Sequence, residues 1–446
     1  FKLSKTNLSK LRKIPESLTR VIIRSKINTA NKTILVHNVT TERFSDFYLK
    51  IPDFPLNIVK YDDVIPAIWN YKTYTIIKKS GCVIENPSSL SNDILEKQIS
   101  KSIDDFNSMF ESLISKNHFF HTFFSINNSS FWDSFKLLFT KFCIKKFSEC
   151  IRQIEIMRSF FNKYDFSAIM IWSEHRLEDQ ILYHFGKQNN IPVIFSQHGF
   201  EFDTDEMIDS MTFFRGFPYR SDFIIVWGDI MRNWFIKNGL DPKKIKSLGS
   251  PYFSKLSSTN FKIKNEYVLL ACDAKAWDFK PEELCIKNIL KYDQTIKNIS
   301  EIIIGLDQNL VIKPHPSKIF NEKKIASEVD ENIKVVTGGD IESLIPSCSV
   351  VITTNITTSI LQALILKKPV ILIRTNSYYG KPHVLKLNGC IEATLDTLES
   401  ILIKLFSDKK YLDNTIEFGN DFISKYFSNS VNSSEEILKF LSEENF

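Results

Sequence analysis

Residues 349–373 read SVVITTNITTSILQALILKKPVILI. They contain an apolar run rich in β-branched residues at 349–353, a helical pattern at 357–366 and a second apolar run at 369–373. A strand, a helix and a strand in this order are typical of a βαβ unit in a parallel sheet. We therefore expect an α/β protein built on parallel strands.

The same alternation extends in both directions, without a repeat of fixed period. Further strands are predicted at 33–37, 57–60, 74–78, 168–172, 192–196, 223–227, 267–271, 309–313 and 333–336. Helices are predicted at 177–188, 230–238, 340–346, 395–406 and 434–441, with a long one from Pro281, and residues 92–161 have a mostly helical pattern.

A polar, aperiodic segment at 254–265 separates two such α/β patterns and is interpreted as a linker. The expected domains are an N-terminal one over 1–256 with a helical insertion at about 92–161, and a C-terminal one over 266–410. Helices within 411–446 are expected to cross back to the first domain. Because ligands of open α/β sheets bind beyond the carboxyl ends of the strands, the active site is expected there, in a cleft between the domains.

Composition excludes several classes of protein. The chain has 446 residues, 43% of them hydrophobic and 24% charged, which argues against disorder. With 57 basic and 52 acidic residues, the net charge of +5 is too small to indicate nucleic-acid binding. No apolar run approaches the ~20 residues of a spanning helix, and the first residues lack a signal-peptide pattern. Seven cysteines without a CxxC pair suggest reduced thiols in a cytoplasmic protein.

The loop after the predicted strand at 309–313 is a candidate phosphate site. It reads KPHPS and contains Lys313, His315 and Pro316, with two prolines that restrict its backbone. A lysine supplies a point charge and a histidine a hydrogen-bond donor, which together suit a phosphate or diphosphate. A solvated histidine in an ordinary turn is the alternative.

A second candidate phosphate site lies at 353–359, which reads TTNITTS. Its candidate residues are Thr354, Thr357, Thr358 and Ser359, at the predicted start of a helix. The helix dipole and free backbone N–H groups favour an anion there. Ordinary N-capping needs only one hydroxyl, and this segment has a surplus.

Two loops of the first half carry candidates for proton transfer. His198 follows the predicted strand at 192–196 and can take a proton near neutral pH, with Glu201 or Asp203 to orient it. Its neighbours Gln197 and Gly199 would line the cleft. Glu174 follows the strand at 168–172 and could act as a base or bind sugar hydroxyls. Capping roles in βα loops are the alternatives.

No metal site is predicted. Asp203 and Asp205 have the spacing of a DxD motif, but they lie well past the end of their strand. Asp62 and Asp63 follow a predicted strand but are not interpreted as metal ligands.

Four segments resemble one group of enzymes. They are NIPVIFSQHGF (190–200), FIIVWGDIMRNWFIKNGLDPKKIKSLGSPYFSKL (223–256), KPHPS (313–317) and TTNITTSILQALILKKPVIL (353–372). They resemble GT-B glycosyltransferases of the surface-polysaccharide type, including capsule transferases for Kdo and sialic acid and CDP-glycerol glycerophosphotransferases. The resemblance covers about residues 165–410.

The resemblance implies two Rossmann-like doubly wound domains that face a cleft, which Ser250 would enter. It also implies that His315 contacts the donor phosphate and that Thr357, Thr358 and Ser359 cradle it. These families carry an acidic pair before a glycine as the catalytic base. Because this chain has Gln197, His198 and Gly199 instead, the base stays open between His198, Glu174 and Glu201.

The implied function is metal-independent, inverting transfer of a CMP-activated ulosonic acid, such as a sialic-acid-like sugar or Kdo. The acceptor would be an oligosaccharide or a lipid-linked glycan, and no cofactor is expected beyond the nucleotide-sugar donor. Glycine-rich phosphate loops and the signature loops of UDP-GlcNAc epimerases are missing, which favours a cytidine-linked donor. The alternatives are a UDP-sugar or CDP-glycerol donor, a sugar-nucleotide 2-epimerase, and a non-catalytic nucleotide-sugar-binding protein.

The segment 118–153 is rich in Phe and Lys. Such a helix can lie in the headgroup region of a membrane, which would place a cytoplasmic enzyme peripherally at the inner face of the membrane. Aromatic helix faces are more often core, and the sequence favours that alternative.

Overall fold

The structure, a computed structural model, describes residues 16–17, 23, 25–200, 203–208, 219–262, 264–273, 286–315, 321–375, 380–429, 431–444 and 446. The chain divides into two compact units. The first unit is residues 1–195 with 441–446, and the second is residues 196–440.

The first unit is built on parallel strands in the order β3-β2-β1-β6-β7. Their bounds are β1 Lys32–His37, β2 Leu56–Tyr61, β3 Val83–Glu85, β6 Ala168–Ile171 and β7 Val193–Ser196. The order reverses between β1 and β6, which makes this sheet doubly wound. All four residues of β6 and of β7 are buried, as expected for strands covered on both faces.

The part of the first unit that the structure describes contains several helices. They are α1 Ser45–Lys50, α2 Tyr71–Ser80, α3 Asp93–Ile114, α4 Asn117–Phe123, α5 Trp132–Phe161 and α6 Leu177–Gln188. A short hairpin of β4 Ser125–Ile126 and β5 Ser129–Ser130 separates α4 from α5. The predicted helical insertion is therefore α3, α4 and α5, which share an aromatic core around Phe110, Phe120 and Trp132.

The second unit contains a six-stranded parallel sheet in the order β12-β11-β10-β13-β14-β15. Its strands are β10 Tyr267–Ala271, β11 Leu310–Lys313, β12 Lys334–Val335, β13 Cys348–Thr354, β14 Val370–Ile373 and β15 Ile391–Ala393. The order reverses between β10 and β13. Two more parallel strands, β8 Phe223–Val226 and β9 Ile245–Ser247, pair with each other.

Further helices follow among the described residues of the chain. They are α7 Asp229–Lys237, α8 Pro251–Ser258, α9 Ile286–Gly305, α10 Glu322–Val329, α11 Thr358–Ile365, α12 His383–Lys386, α13 Leu395–Ser407, α14 Lys409–Tyr426 and α15 Ser433–Glu443. The core of the six-stranded sheet is aliphatic, with Val268, Leu270, Ile312 and Ile352 against Ile299 of α9. Two doubly wound parallel sheets confirm the predicted α/β class.

Three local predictions were wrong. Residues 74–78 were expected as a strand but lie in α2, because Asn70 and Thr73 form a capping box and Gly81 ends the helix at φ 70°. The expected linker at 254–265 is helical as far as Ser258, since α8 begins at Pro251. Residues 340–346 were expected as one helix, but they form two short 3₁₀ turns, Ile341–Ser343 and Ile345–Ser347, which are separated at Leu344. Pro346, inside the second turn, has no N–H with which to continue a helix.

The predicted domain boundaries stay a prediction. The last residues of the chain group with the first unit, where Lys32 Nζ donates to the carbonyl of Glu444 over 2.7 Å. Among the described residues, no helix is long and apolar enough to cross a membrane.

Candidate functional site

The carboxyl ends of β10 and β13 meet at the reversal point of the second sheet. The backbone N–H of Asp273, just after β10, donates to Thr354 Oγ1 over 2.9 Å. Thr354 is fully buried and also lies 3.4 Å from the hydroxyl of Tyr292. The hydroxyl of Thr354 therefore joins the two strand ends, so that it supports the loop from within.

The start of α11 presents the other hydroxyls of this loop. Thr357 is the N-cap residue, and its side chain makes no capping hydrogen bond. Thr357, Thr358 and Ser359 are half-buried, and Thr358 Oγ1 accepts from the N–H of Phe200 over 3.4 Å. The first turn of α11 thus offers hydroxyls and a helix N-terminus at the position where an α/β sheet binds its ligand.

Asn355 sets the direction of the chain between β13 and α11. Its φ of 61° is left-handed, which asparagine tolerates better than other residues with a side chain. Its side chain exchanges hydrogen bonds with Thr375, donating to Oγ1 over 2.8 Å and accepting from the N–H over 3.0 Å. The loop is therefore fixed to the end of β14.

Lys313 and His315 follow β11 in the same sheet. Lys313 Nζ donates to the carbonyls of Gly338 and Gly339, each over 2.8 Å, and burial lowers its pKa. Two of its three protons are therefore used within the protein. His315 is half-buried, and burial lowers its pKa below the usual 6.5, so that the ring is neutral at pH 7. Pro316 lies outside the described residues.

The loop after β7 is tied down by Gln197. Its side chain donates to the carbonyl of Gly199 over 3.0 Å and accepts from the N–H of Trp227 over 3.0 Å. Gln197 is buried, His198 is exposed, and a Cβ at Gly199 would meet no atom within 4 Å. Gln197 therefore acts as a support, and His198 is the member of this loop that solvent can reach.

Asp203, which the sequence offered beside Glu201 as a residue to orient His198, belongs to the second unit. It is buried, and its Oδ1 accepts from the N–H of His383 over 3.0 Å, while Oδ2 lies 3.0 Å from His383 Nδ1. This carboxylate holds the start of α12. The first member of the DxD spacing therefore lies beside an imidazole ring.

Three further residues were predicted for the site. Ser250 is the buried N-cap residue of α8 and contributes to a cavity of about 130 Å³, together with Phe253, Leu364 and Phe427. Glu174 belongs to the first unit, where it is buried and its carbonyl accepts from the side chain of Gln180. Glu201 lies outside the described residues.

The first unit contains a polar cluster that the sequence analysis missed. His37 is the last residue of β1, Asp63 follows β2, and Asp179 lies in the first turn of α6. His37 Nε2 lies 3.6 Å from Asp63 Oδ1 and 3.4 Å from Asp179 Oδ1. Arg176 donates to Asp63 over 2.5 Å. The signal was present, because His37 ends a predicted strand and Asp63 lies three residues beyond the end of the next one.

The protonation states within this cluster follow from its geometry. His37 Nδ1 faces the carbonyl of Tyr61 at 3.0 Å, so that nitrogen carries the proton. Burial lowers the pKa of His37 to about 4, and the ring is neutral. Burial raises the pKa of Asp179 to about 7 and that of Asp62, beside Lys60, to about 6. Among the described residues no group of His, Cys, Asp and Glu is arranged to hold a metal ion.

The fold is shared with solved sugar-nucleotide enzymes. A putative UDP-N-acetylglucosamine 2-epimerase from Listeria monocytogenes aligns with a TM-score of 0.56 at 11% identity, over 92% of this chain and 96% of that one. The UDP-GlcNAc 2-epimerase of Neisseria meningitidis bound to UDP-GlcNAc aligns with a TM-score of 0.52 at 10% identity, over 93% of this chain and 100% of that one. An S. aureus MnaA–UDP structure aligns with a TM-score of 0.51 at 11% identity, over 92% of this chain and 96% of that one.

These similarities show the fold, which is GT-B with two Rossmann-like domains. In sequence, no curated protein matches the chain. A family model described as LIC12162 family transferase matches residues 9–381, which is most of the chain. The protein therefore belongs to the LIC12162 family of transferases.

Proposed function

We propose that this transferase moves a glycosyl group from a nucleotide sugar to a glycan hydroxyl. The observation that carries the proposal is the start of α11. There the N-cap Thr357, whose side chain makes no capping hydrogen bond, and half-buried Thr358 and Ser359 lie at the reversal point of a doubly wound sheet. Hydroxyls at a helix N-terminus suit a phosphate, and His315 follows a strand of the same sheet.

The reaction needs a base and a stabilised leaving group. The acceptor hydroxyl loses its proton and its oxygen forms a bond to the anomeric carbon of the donor. The bond between that carbon and the donor phosphate oxygen breaks, and the nucleotide leaves with the electron pair. The helix start at Thr357 and the ring of His315 stabilise the charge that develops on this oxygen. His198, which is exposed, is the proposed base, with Glu174 and Glu201 as alternatives.

For the donor we propose a CMP-activated ulosonic acid, transferred with inversion and without a metal ion to an oligosaccharide or lipid-linked glycan. The supporting argument is the resemblance of the KPHPS and TTNITTS segments to transferases with such donors. A UDP-sugar is the second candidate, because the Neisseria meningitidis neighbour binds UDP-GlcNAc and the S. aureus neighbour binds UDP.

The first experiment is a thermal-shift panel of CMP, CDP, UDP, GDP and their sugars. A ligand that binds only the folded state raises the unfolding temperature. We expect CMP or CDP to stabilise the protein and His315→Ala to weaken the binding about tenfold, since a hydrogen bond to a charged group contributes about 1.5–3 kcal/mol. His184→Ala is the matched control, because His184 is an exposed histidine of α6.

Each outcome of the panel separates two hypotheses. Stabilisation by UDP alone would replace the donor and keep the phosphate site. Equal stabilisation of wild type and His315→Ala would contradict the assigned role of His315. If the donor binds but releases no sugar to water or to any acceptor, the protein is a nucleotide-sugar-binding protein and the catalytic proposal fails.

We also propose that the enzyme is cytoplasmic and touches the inner face of the membrane through one surface of the helical insertion. The aromatic surface consists of Phe119, Phe123, Ile126, Leu137, Leu138 and Phe142, whose exposed fractions are 60–69%. Other aromatic residues of the insertion, such as Trp132, form its core. From the sequence, these aromatic residues were expected either in the core or on a membrane-facing surface. Each alternative thus applies to different residues of the same helices.

Charge indicates which partner suits the aromatic surface. Between residues 116 and 147 the chain has five lysines (Lys116, Lys136, Lys141, Lys145 and Lys146) and a single acidic residue, Asp133. Two copies of such a surface would repel each other. Phospholipids with anionic headgroups would attract it, and exposed phenylalanines beside lysines are typical of helices in the membrane interface.

A further inference from the structure

The polar cluster of the first unit lies where a doubly wound sheet binds its ligand. Strands β1 and β6 are neighbours, and the strand order reverses between them. His37 is the last residue of β1, and the loop after β6 leads to Arg176 and to Asp179 in α6. In open α/β sheets the crevice at this reversal point is the ligand-binding position.

The cluster has an inner layer and an outer layer. His37 is fully buried and Asp179 is 1% exposed, whereas the side chains of Asp63 and Arg176 are 19% and 30% exposed. Asn38 connects the layers: its amide donates to Asp63 Oδ1 over 2.5 Å and lies 2.9 Å from His37 Nε2. A ligand would therefore meet Asp63 and Arg176 first, with both side chains held in place from behind.

One buried oxygen in the cluster has no partner. Asp179 Oδ2 makes no hydrogen bond to any described residue, although almost none of the side chain is exposed. A buried polar atom without a partner destabilises the folded state. Because burial raises the pKa of Asp179 to about 7, this carboxyl carries a proton for part of the time near neutral pH and can donate as well as accept.

We infer that the first unit binds a sugar through this cluster, with Asp63 and Arg176 contacting its hydroxyls and His37, Asn38 and Asp179 positioning them. The inference rests on the proposed function, because this sugar would be the glycan acceptor. Because the Asp63 carboxylate and the Arg176 guanidinium are adjacent, one sugar hydroxyl can donate to the carboxylate and accept from the guanidinium at the same time.

The charges around the cluster argue for a neutral ligand. The carboxyl groups of Asp62, Asp63, Glu178 and Asp179 outnumber the cations Lys60 and Arg176. Lys60 is buried and paired with Asp62 at 2.8 Å, and Arg176 already contacts Asp63 and Glu178. A phosphate would therefore be repelled, whereas an uncharged polyol would not.

The test uses free sugars and no nucleotide. Saturation-transfer NMR would be recorded on the full chain with methyl glycosides of glucose, galactose, mannose and N-acetylglucosamine, and affinities would be taken from titrations. We expect at least one glycoside to bind, with affinity reduced tenfold or more in Asp63→Asn and in Arg176→Gln. The control Asp133→Asn changes an exposed aspartate of the same unit and should leave the signal unchanged.

The controls separate this inference from the nucleotide site. His315→Ala should keep glycoside binding while it weakens nucleotide binding, so that each proposal can fail alone. If Arg176→Gln does not fold, Arg176→Lys, which keeps the positive charge, is used in its place. Absence of glycoside binding, or binding that is equal in wild type and both variants, would overturn the inference and leave the cluster as a structural ion-pair network.

Discussion

Polar residues at the ends of strands contribute to both candidate sites, because the carboxyl ends of parallel strands meet at one edge of a sheet. His315, Thr357 and His198 were identified because each follows an apolar β-branched run, and strand ends are where such sheets bind ligands. His37 and Asp63 satisfy the same rule but were passed over, since only the folded chain shows that β1, β2 and α6 bring them together. Contacts between residues 37 and 179 depend on the strand order, which the local sequence does not contain.

Asp179 gives a prediction at this scale. Its folded pKa of about 7 lies above the unfolded 3.8, so the folded state binds the proton more tightly and its stability falls as pH rises between these values. The groups that face Asp179 are His37, Asp63, Arg176 and Glu178.

Asp179→Asn removes this titration. We expect the variant to gain stability over wild type on going from pH 5 to pH 8, on the order of 2 kcal/mol, because one pKa unit corresponds to about 1.4 kcal/mol. Urea unfolding at both pH values measures it. Asp133→Asn, at an exposed position, should show no such pH-dependent difference. An equal response of the two variants would contradict the raised pKa of the buried Asp179 carboxyl.

Helices and strands were predictable where their apolar pattern was long or where the whole element is buried. Helix α6 was predicted at 177–188 and has those bounds, whereas α2 was mistaken for a strand. A short apolar run such as YTIIK fits both types of element, and the capping residues Asn70 and Gly81 were the better signal. Helix α14 was anticipated only as one of the helices within 411–446, without bounds of its own, although its N-cap Asp408 is visible in the sequence.

The end of α14 packs closely on the loop after β8, which gives a prediction for this element. A Cβ at Gly228 would overlap the carbonyl oxygen of Tyr426 and lie 2.8 Å from its carbon. The N–H of Ser428 donates to the carbonyl of Trp227 over 2.8 Å, so the two segments cannot separate without losing this bond.

Gly228→Ala should therefore destabilise the protein by about 1–3 kcal/mol, as overpacking does. Gly305→Ala is the matched control, because a Cβ there meets no atom within 4 Å and alanine is the better helix former. Thermal unfolding of both variants measures the difference. A melting temperature for Gly228→Ala at or above that of Gly305→Ala would show that the packing is looser than described.

At the scale of the whole molecule, composition predicted the class of protein but not the use of its many phenylalanines. The chain has 37 of them. The sequence favoured a core role for those at 118–153, and the structure divides them, with Phe120 buried and Phe119 and Phe123 exposed. Neighbouring letters in a sequence do not show which face of a helix is covered, since that depends on how α4 and α5 pack.

The aromatic surface leads to the last prediction, on attachment of the whole protein to membranes. We expect the protein to co-sediment with vesicles of phosphatidylcholine and phosphatidylglycerol, and to do so less with phosphatidylcholine alone, since each lysine near an anionic surface contributes about 1 kcal/mol. High salt should weaken the binding.

Phe119→Ser with Phe123→Ser should reduce the bound fraction severalfold, whereas Ile403→Ser with Phe418→Ser, which removes exposed apolar residues of the second unit, should not. Because both pairs remove exposed apolar side chains, a loss confined to Phe119→Ser with Phe123→Ser points to the aromatic surface. Equal loss in the two double variants would indicate nonspecific adsorption. No binding by wild type would leave the aromatic surface without a lipid partner and direct the search for the acceptor to soluble glycans.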